Sequence, residues 1–266
     1  YIEAKTPTHW KWKRWPIAPG EIFLSAEEKA FAAPHAGRIL VEPHTKVDGS
    51  NKAWFFDRWQ ALVDGGGDFV QVGPAGTRVL RGVHFVDAPL SRTPKEAEAG
   101  TLDTMVGAAP EVFARIEPVL RAWAGNVVHL GPVGLGHKMK LINNFIAMGY
   151  AALFSEALAI ARKSGLTVEQ FHSVIGSGRM RSPFYDTFMQ WSLNHDENAH
   201  RFTISNAHKD MRYLASMAGE LGAVNPIQAD VKNLFAAMEA AGQGERFVPM
   251  LADFVAGINA LPPAHG

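Results

Sequence analysis

Residues 127–163 constrain this chain more than any others, because a glycine-rich turn there feeds one very long apolar helix. Val127–Leu130 reads as a strand, and Gly131-Pro132-Val133-Gly134-Leu135-Gly136 as the turn. The apolar period then predicts a helix from about Gly136 to Lys163, closed by Gly165 as a left-handed cap. At 1.5 Å per residue such a helix is about 40 Å long, enough to link two domains. Leu141, Ile142, Phe145, Ile146, Leu153, Phe154, Leu158 and Ile160 make it apolar nearly all round, so burial on several sides is expected.

The same helix carries Lys140 and, one turn on, Asn144, with Asn143 beside it. Residues i and i+4 share a helical face, so Lys140 and Asn144 point the same way. A helix N-terminus disfavours a cation, which makes Lys140 oddly placed for a residue that only solubilises. At the edge of a cleft, a partly desolvated lysine loses its proton closer to neutrality and can do acid/base work. The spacing alone leaves open a solvated lysine and two capping asparagines.

Composition excludes several classes. Lys plus Arg and Asp plus Glu both number 26, so no overall field attracts nucleic acid or an anionic membrane. There is no cysteine, hence no disulfide framework and no thiolate metal site. The histidines are scattered. His195 and His200 lack helical ligand spacing and read as a solvated loop. No signal peptide or membrane-length apolar run is read, since Asn, Ser and Glu interrupt the long helix. The expectation is a soluble, cytoplasmic protein without a bound metal.

Three separated motifs carry a family resemblance: Phe85-Val86-Asp87-Ala88-Pro89-Leu90-Ser91, then Gly134-Leu135-Gly136 with Lys140, Asn143 and Asn144, then His208-Lys209-Asp210. In this order they resemble the beta-hydroxyacid dehydrogenases, the family of 3-hydroxyisobutyrate dehydrogenase and tartronate semialdehyde reductase. The resemblance runs from near Gly82 almost to the C-terminus, roughly two thirds of the chain. It implies a hydride transfer between NAD or NADP and a small beta-hydroxy acid or its semialdehyde, with Lys140 as general acid/base. Asn144 would orient lysine or substrate. Ser91, Arg92, Thr93 and Asn143 would bind the substrate's acid end. Lys209, Gly134 and Gly136 would lie at the cofactor. The family usually has two glycines after the serine, where this chain has Arg92 and Thr93. Arg92 could clamp a carboxylate bidentately, or sit as an exposed loop arginine. The resemblance also implies a homodimer or homotetramer, and an uncovered apolar side of the long helix would suit that interface.

The implied architecture is an α/β nucleotide-binding-like part with a partial, Rossmann-like sheet over residues 1–133, followed by an all-helical domain over 134–266. Upstream the expectations diverge from the family. Trp10, Trp12 and Trp15 alternate with Lys11, Lys13 and Arg14, a mixture that can stack on single-stranded nucleic acid; neutral net charge favours a packing flap instead. Arg38–Glu42 and Phe69–Val72 read as strands around a helix at Lys52–Val63 stopped by Gly65-Gly66-Gly67. The Gly-x-Gly-x-x-Gly fingerprint that admits a pyrophosphate to a helix N-terminus is missing upstream of Gly82.

Ile22–Leu80 weakly resembles the nucleotide-sugar domain of heptosyltransferase-like glycosyltransferases. Val41-Glu42-Pro43-His44-Thr45-Lys46, Asn51-Lys52-Ala53-Trp54 and Arg58-Trp59-Gln60-Ala61-Leu62 carry it. It would put Lys46 and Lys52 near a diphosphate. Alternatives to the dehydrogenase are therefore a nucleotide-sugar-binding protein and an inactive chimera joined near Arg81–Phe85.

Downstream, His84–Ala88 and Thr101–Val106 read as strands, Pro89–Pro94 as a loop and Pro110–Trp123 as a helix with proline at its first position. Thr167-Val168-Glu169-Gln170 is a capping box, and Ser182-Pro183 and Asn225-Pro226 are cap-plus-proline starts. Two further helices are expected at about Ser205–Glu220 and Glu245–Ile258.

Overall fold

A computed structural model describes residues 38–41, 63–64, 68–72, 82–92 and 94–264. The chain divides into two units, Tyr1–Arg38 and Ile39–Gly266, and every described residue except Arg38 belongs to the second. The tryptophan-rich segment, Lys46, Lys52, Thr93 and most of the helix expected at Lys52–Val63 lie outside the described residues.

β1 (Arg38–Val41), β2 (Asp68–Val72) and β3 (His84–Val86) form one sheet in that order, with β2 and β3 parallel and Val72 opposite Val86. A second sheet holds β4 (Leu90–Ser91), β5 (Leu102–Gly107) and β6 (Ala124–Gly131); β4 runs antiparallel to β5, and β6 parallel to it. The segment expected as a loop, Pro89–Pro94, thus supplies β4, and a short helix, α1 (Pro94–Glu98), starts at its end. β6 starts earlier than Val127 because Ala124 is buried and pairs with Leu102. α2 (Pro110–Leu120) connects β5 to β6; Pro110 at its start forgoes an N–H that no helical carbonyl would accept. Its Val112, Ile116 and Leu120 form one face, buried with Val86 and Val106. Each large side chain buried this way stabilises the fold by roughly 1.5–3 kcal/mol.

Among the described residues, the two sheets meet at a bridge between Asp87 and Gly107. Asp87 N–H donates to Gly107 O at 3.0 Å and Gly107 N–H donates back to Asp87 O at 2.8 Å.

The long helix, α3, spans Leu135–Lys163 and follows Gly134, whose φ of 97° is the left-handed conformation that favours glycine. Gly165, with φ 90°, lies just past its end as expected. α4 (Val168–Ile175) has both hydrogen bonds of the Thr167–Gln170 capping box. α5 (Pro183–Asn194) and α6 (Ile204–Glu220) are capped by the Ser182 and Thr203 hydroxyls. α7 (Pro226–Met238) starts after Asn225, whose side chain does not cap the backbone but donates to Gln228 Oε1 at 3.0 Å. The last helix, α8, begins at Leu251 rather than Glu245. Val248 N–H is committed to Phe202 O at 2.8 Å, and Arg246 O accepts from Ile204 N–H at 2.8 Å, so this stretch pairs with the chain entering α6 before it can coil.

α3 packs on α6, α7, α8 and β5. Met148, Phe154 and Leu158 join Phe188, Phe235 and Leu251 in the helical core. Burial on several sides holds except along one stripe, where Ile142, Ile146, Tyr150, Leu153 and Ile160 are exposed. Against expectation, α3 is long and apolar enough to cross a membrane by length and composition. Here its buried stretch forms the centre of the helical core.

Candidate active site

Lys140 stands where α3 leaves the sheets, and the start of α3 is fixed by Asp87. Asp87 is fully buried; its Oδ1 accepts from Gly134 N–H at 2.6 Å and its Oδ2 from His137 N–H at 2.7 Å. His137 Nδ1 lies 3.4 Å from the same oxygen. Burial pushes the Asp87 carboxyl up, but the hydrogen bonds from His137 and the two backbone N–H groups outweigh it and hold it below its ordinary value. Close approach is possible because two neighbours are glycine. A Cβ on Gly136 would lie 2.3 Å from Met105 O, and one on Gly107 would lie 2.1 Å from Asp87 Oδ1. Gly134 and Gly136, placed at a cofactor by resemblance, therefore face Asp87 and Met105.

One turn further, α3 forms a wall of a cavity of about 580 Å³. Ser91 and Arg92 from the β4 end, and Lys140, Asn143 and Asn144 from α3, all line it. Thr93 is outside the described residues. Burial lowers the Lys140 pKa, and the charge of Asp210 partly opposes this. Asp210, on α6, lies behind the wall: Asn144 Nδ2 donates to its Oδ2 at 2.7 Å. Its Oδ1 pairs with Lys209 Nζ at 3.3 Å. Lys209 is exposed and does not line the cavity.

Arg92 also lines the cavity, with its Nε donating to Asp103 Oδ2 at 2.8 Å. Its φ is 86°, a left-handed backbone that suits glycine and costs a branched or bulky residue about 1–3 kcal/mol. Glu96 and Asp103 also line the cavity, as do Phe184 and Thr187 of α5 and the following His200, Arg201 and Phe202, none of which the motifs single out. His200, expected in a solvated loop, packs edge-on to Phe184 at 5.2 Å, and its Nδ1 lies 3.5 Å from Thr187 Oγ1. Burial depresses its pKa to about 4. The signal available in the sequence was Phe202, an apolar residue closing an otherwise polar stretch. Among the described residues, no group of three or more His, Cys, Asp or Glu could hold a metal ion.

Comparison with known proteins supplies the family. Residues 77–131 match the NAD binding domain of 6-phosphogluconate dehydrogenase, and residues 134–252 match the family described as NAD-binding of NADP-dependent 3-hydroxyisobutyrate dehydrogenase. Residues 77–252 belong to the beta-hydroxyacid dehydrogenase family. The 2-(hydroxymethyl)glutarate dehydrogenase of Eubacterium barkeri is 35% identical over 184 residues, 66% of this chain and 61% of that enzyme. The 3-sulfolactaldehyde reductase of Escherichia coli K12 is 28% identical over 167 residues, 62% of this chain and 56% of that enzyme. Thus the chain spans less than two thirds of either relative's length. Among solved structures, a 3-hydroxyisobutyrate dehydrogenase from Salmonella typhimurium superposes with TM-score 0.59 at 25% identity, covering 65% of this chain and 60% of that one. The expected fold class is shown: a partial Rossmann-like sheet with helices, followed by a helical portion. The nucleotide-sugar resemblance of Ile22–Leu80 gains no support.

For a dinucleotide's pyrophosphate, the N–H groups of Gly134 and His137 at the start of α3 are already turned to the Asp87 carboxylate.

Proposed function

We propose that the chain acts as an NAD- or NADP-dependent oxidoreductase on a small beta-hydroxy acid or its semialdehyde, with the cavity beside Lys140 as the substrate site. The observation that carries this reading is a lysine of lowered pKa in a cavity wall with Asn143, Asn144 and Ser91. The nicotinamide supplies or accepts the hydride when bound. The chain's own task is the proton at the substrate oxygen. In oxidation, neutral Lys140 takes it from the hydroxyl as hydride leaves the carbon; in reduction, the ammonium returns it. Partial desolvation favours the neutral form nearer physiological pH, which suits both directions.

Asn144, fixed by Asp210, presents its amide oxygen to the lysine or to the substrate. Ser91, Arg92 and Asn143 hold the acid group, Arg92 as a cation oriented by Asp103. Thr93 follows Arg92 in the chain and is proposed to extend this contact. Lys209 is proposed at the outer edge of the cofactor site, where its exposed ammonium can meet a phosphate. Gly134 and Gly136 are proposed to serve the cofactor indirectly, by letting α3 approach the sheet.

We divide the work at residues 133/134, with nucleotide binding upstream and substrate binding and assembly downstream. Two separate hydrophobic cores support the division. The exposed stripe of α3 from Ile142 to Ile160 suits a second copy of this chain, giving a homodimer or a pair of dimers. A cytoplasmic setting, where NAD(P) is abundant, fits the reading.

The test is Lys140→Met, which keeps the apolar stem and removes the proton-transfer group. Turnover of a beta-hydroxy acid with NAD(P) should fall by at least about a hundredfold, the usual contribution of a general acid/base, while thermal unfolding stays unchanged. Turnover within a few-fold of the parent would remove Lys140 from the mechanism.

A further inference from the structure

The two ends of the cavity differ in polarity, and α3 runs from one to the other. Its N-terminal end is seated on Asp87, beside the sheets. Its polar wall residues, Lys140, Asn143 and Asn144, come first; Ala147 and Met148 follow. The rise from Lys140 to Met148 is about 12 Å. Beyond Met148, Tyr150 packs on Phe184 at 6.2 Å between ring centroids, which places Phe184 at the helical end. His200 sits edge-on against Phe184 there.

At the sheet end Arg92 and Lys140 are the cations, but Glu96 and Asp103 line the same wall and Asp103 is paired with Arg92. At the helical end, His200 is neutral at physiological pH, because burial keeps its pKa near 4. Arg201 reaches the cavity wall, but its exposed guanidinium lies over the Phe247 ring, 5.9 Å from the centroid. The helical end therefore offers a second carboxylate no desolvated counter-charge. It offers apolar surface from Ala147, Met148 and Phe184.

We propose that this cavity is built for a monoacid with a bulky apolar body, the acid group at Ser91, Arg92 and Asn143, the hydroxyl at Lys140, and a branched alkyl or aryl substituent against Ala147, Met148 and Phe184. The proposal rests on the cavity being the substrate site of the preceding reading. It differs from the diacid in the name of the Eubacterium barkeri relative, whose second carboxylate would have to meet this apolar wall.

Titration calorimetry on the full chain tests it with four acids: 3-hydroxypropionate, 3-hydroxy-3-phenylpropionate, 3-phenylpropionate and 2-(hydroxymethyl)glutarate. The phenyl hydroxy acid should bind about tenfold or more tighter than 3-hydroxypropionate, from the ring's buried area, and the diacid should gain nothing. Ala147→Phe, which fills the helical end, should bring the ratio between phenyl and small hydroxy acid to about one. Equal or weaker binding of the phenyl acid, or tightest binding of the diacid, overturns the proposal while leaving the dehydrogenase reading standing. Equally tight binding of 3-phenylpropionate, which lacks the hydroxyl, upholds the apolar pocket and counts against the dehydrogenase reading. Absence of binding by all four at millimolar concentration overturns both.

Discussion

Asn144 and Asp210 are joined by a hydrogen bond of 2.7 Å that ties the lysine helix to α6 directly behind the cavity wall. The same carboxylate meets Lys209 at 3.3 Å. One acidic side chain thus orients an amide of the cavity, opposes the effect of burial on Lys140, and anchors an exposed lysine on the outside.

Asp210→Asn removes the negative charge and keeps the size. Burial of Lys140 is unchanged and its opposing influence is gone, so the Lys140 pKa should fall further below its ordinary value. Titration of reductively methylated lysines by carbon NMR reads this directly, with Lys140→Met identifying the resonance. An unmoved midpoint would show that Asp210 does not act on Lys140.

Asp87 should dominate acid stability. Its folded pKa is lowered, so its contribution is complete above the unfolded value of about 3.9 and is lost as pH falls through the folded value. At pH 7, Asp87→Ala leaves the Gly134 and His137 N–H groups without their acceptor. The expected loss is about 2–4 kcal/mol in urea unfolding. The gap between parent and variant should close below about pH 4. A gap that persists there would mean that packing, not the carboxylate charge, accounts for it.

His200 gives the opposite chemical group the same sign of pH dependence. Its folded pKa of about 4 lies below the unfolded 6.5, so between those values the unfolded chain binds the extra proton. Stability should fall by about 1–2 kcal/mol from pH 7 to pH 5, and His200→Phe should remove most of that fall. A slope unchanged by the substitution would assign it to other groups.

Nicotinamide affinity should be far below that of an intact relative. The sequence has no Gly-x-Gly-x-x-Gly unit before Gly82, and the backbone donors at the start of α3 already serve Asp87. Calorimetry with NADH and NADPH checks this. Micromolar binding of either would reveal a phosphate site elsewhere in the chain.

Helical period made Lys140, Asn143 and Asn144 legible as one wall, because the contact is local and needs only the 3.6-residue repeat. The caps at Thr167 and Ser182 were legible for the same reason. Asp87 was visible as part of a motif, yet its work spans 47 residues to Gly134 and 20 to Gly107, and no periodicity reports such a closure. His200 reads as solvated because its upstream neighbours Asp196, Glu197 and Asn198 are polar, while its packing partner Phe184 is on another element. The delayed start of α8 is not legible in the sequence because it depends on pairing between Val248 and Phe202. Arg92 stood out against the family's glycine, and its left-handed backbone gives that substitution a physical meaning.

The convergence on Asp87 has a consequence for how such a chain can change. Among the described residues, those that seat the lysine helix, namely Asp87, Met105, Gly107, Gly134, Gly136 and His137, lie after β3 in sequence. Among the described residues, upstream sequence enters this arrangement through β2, paired with β3. The downstream piece is in effect a transplantable cassette. A recipient scaffold has to offer one parallel strand beside His84–Val86, and the lysine arrives already aimed.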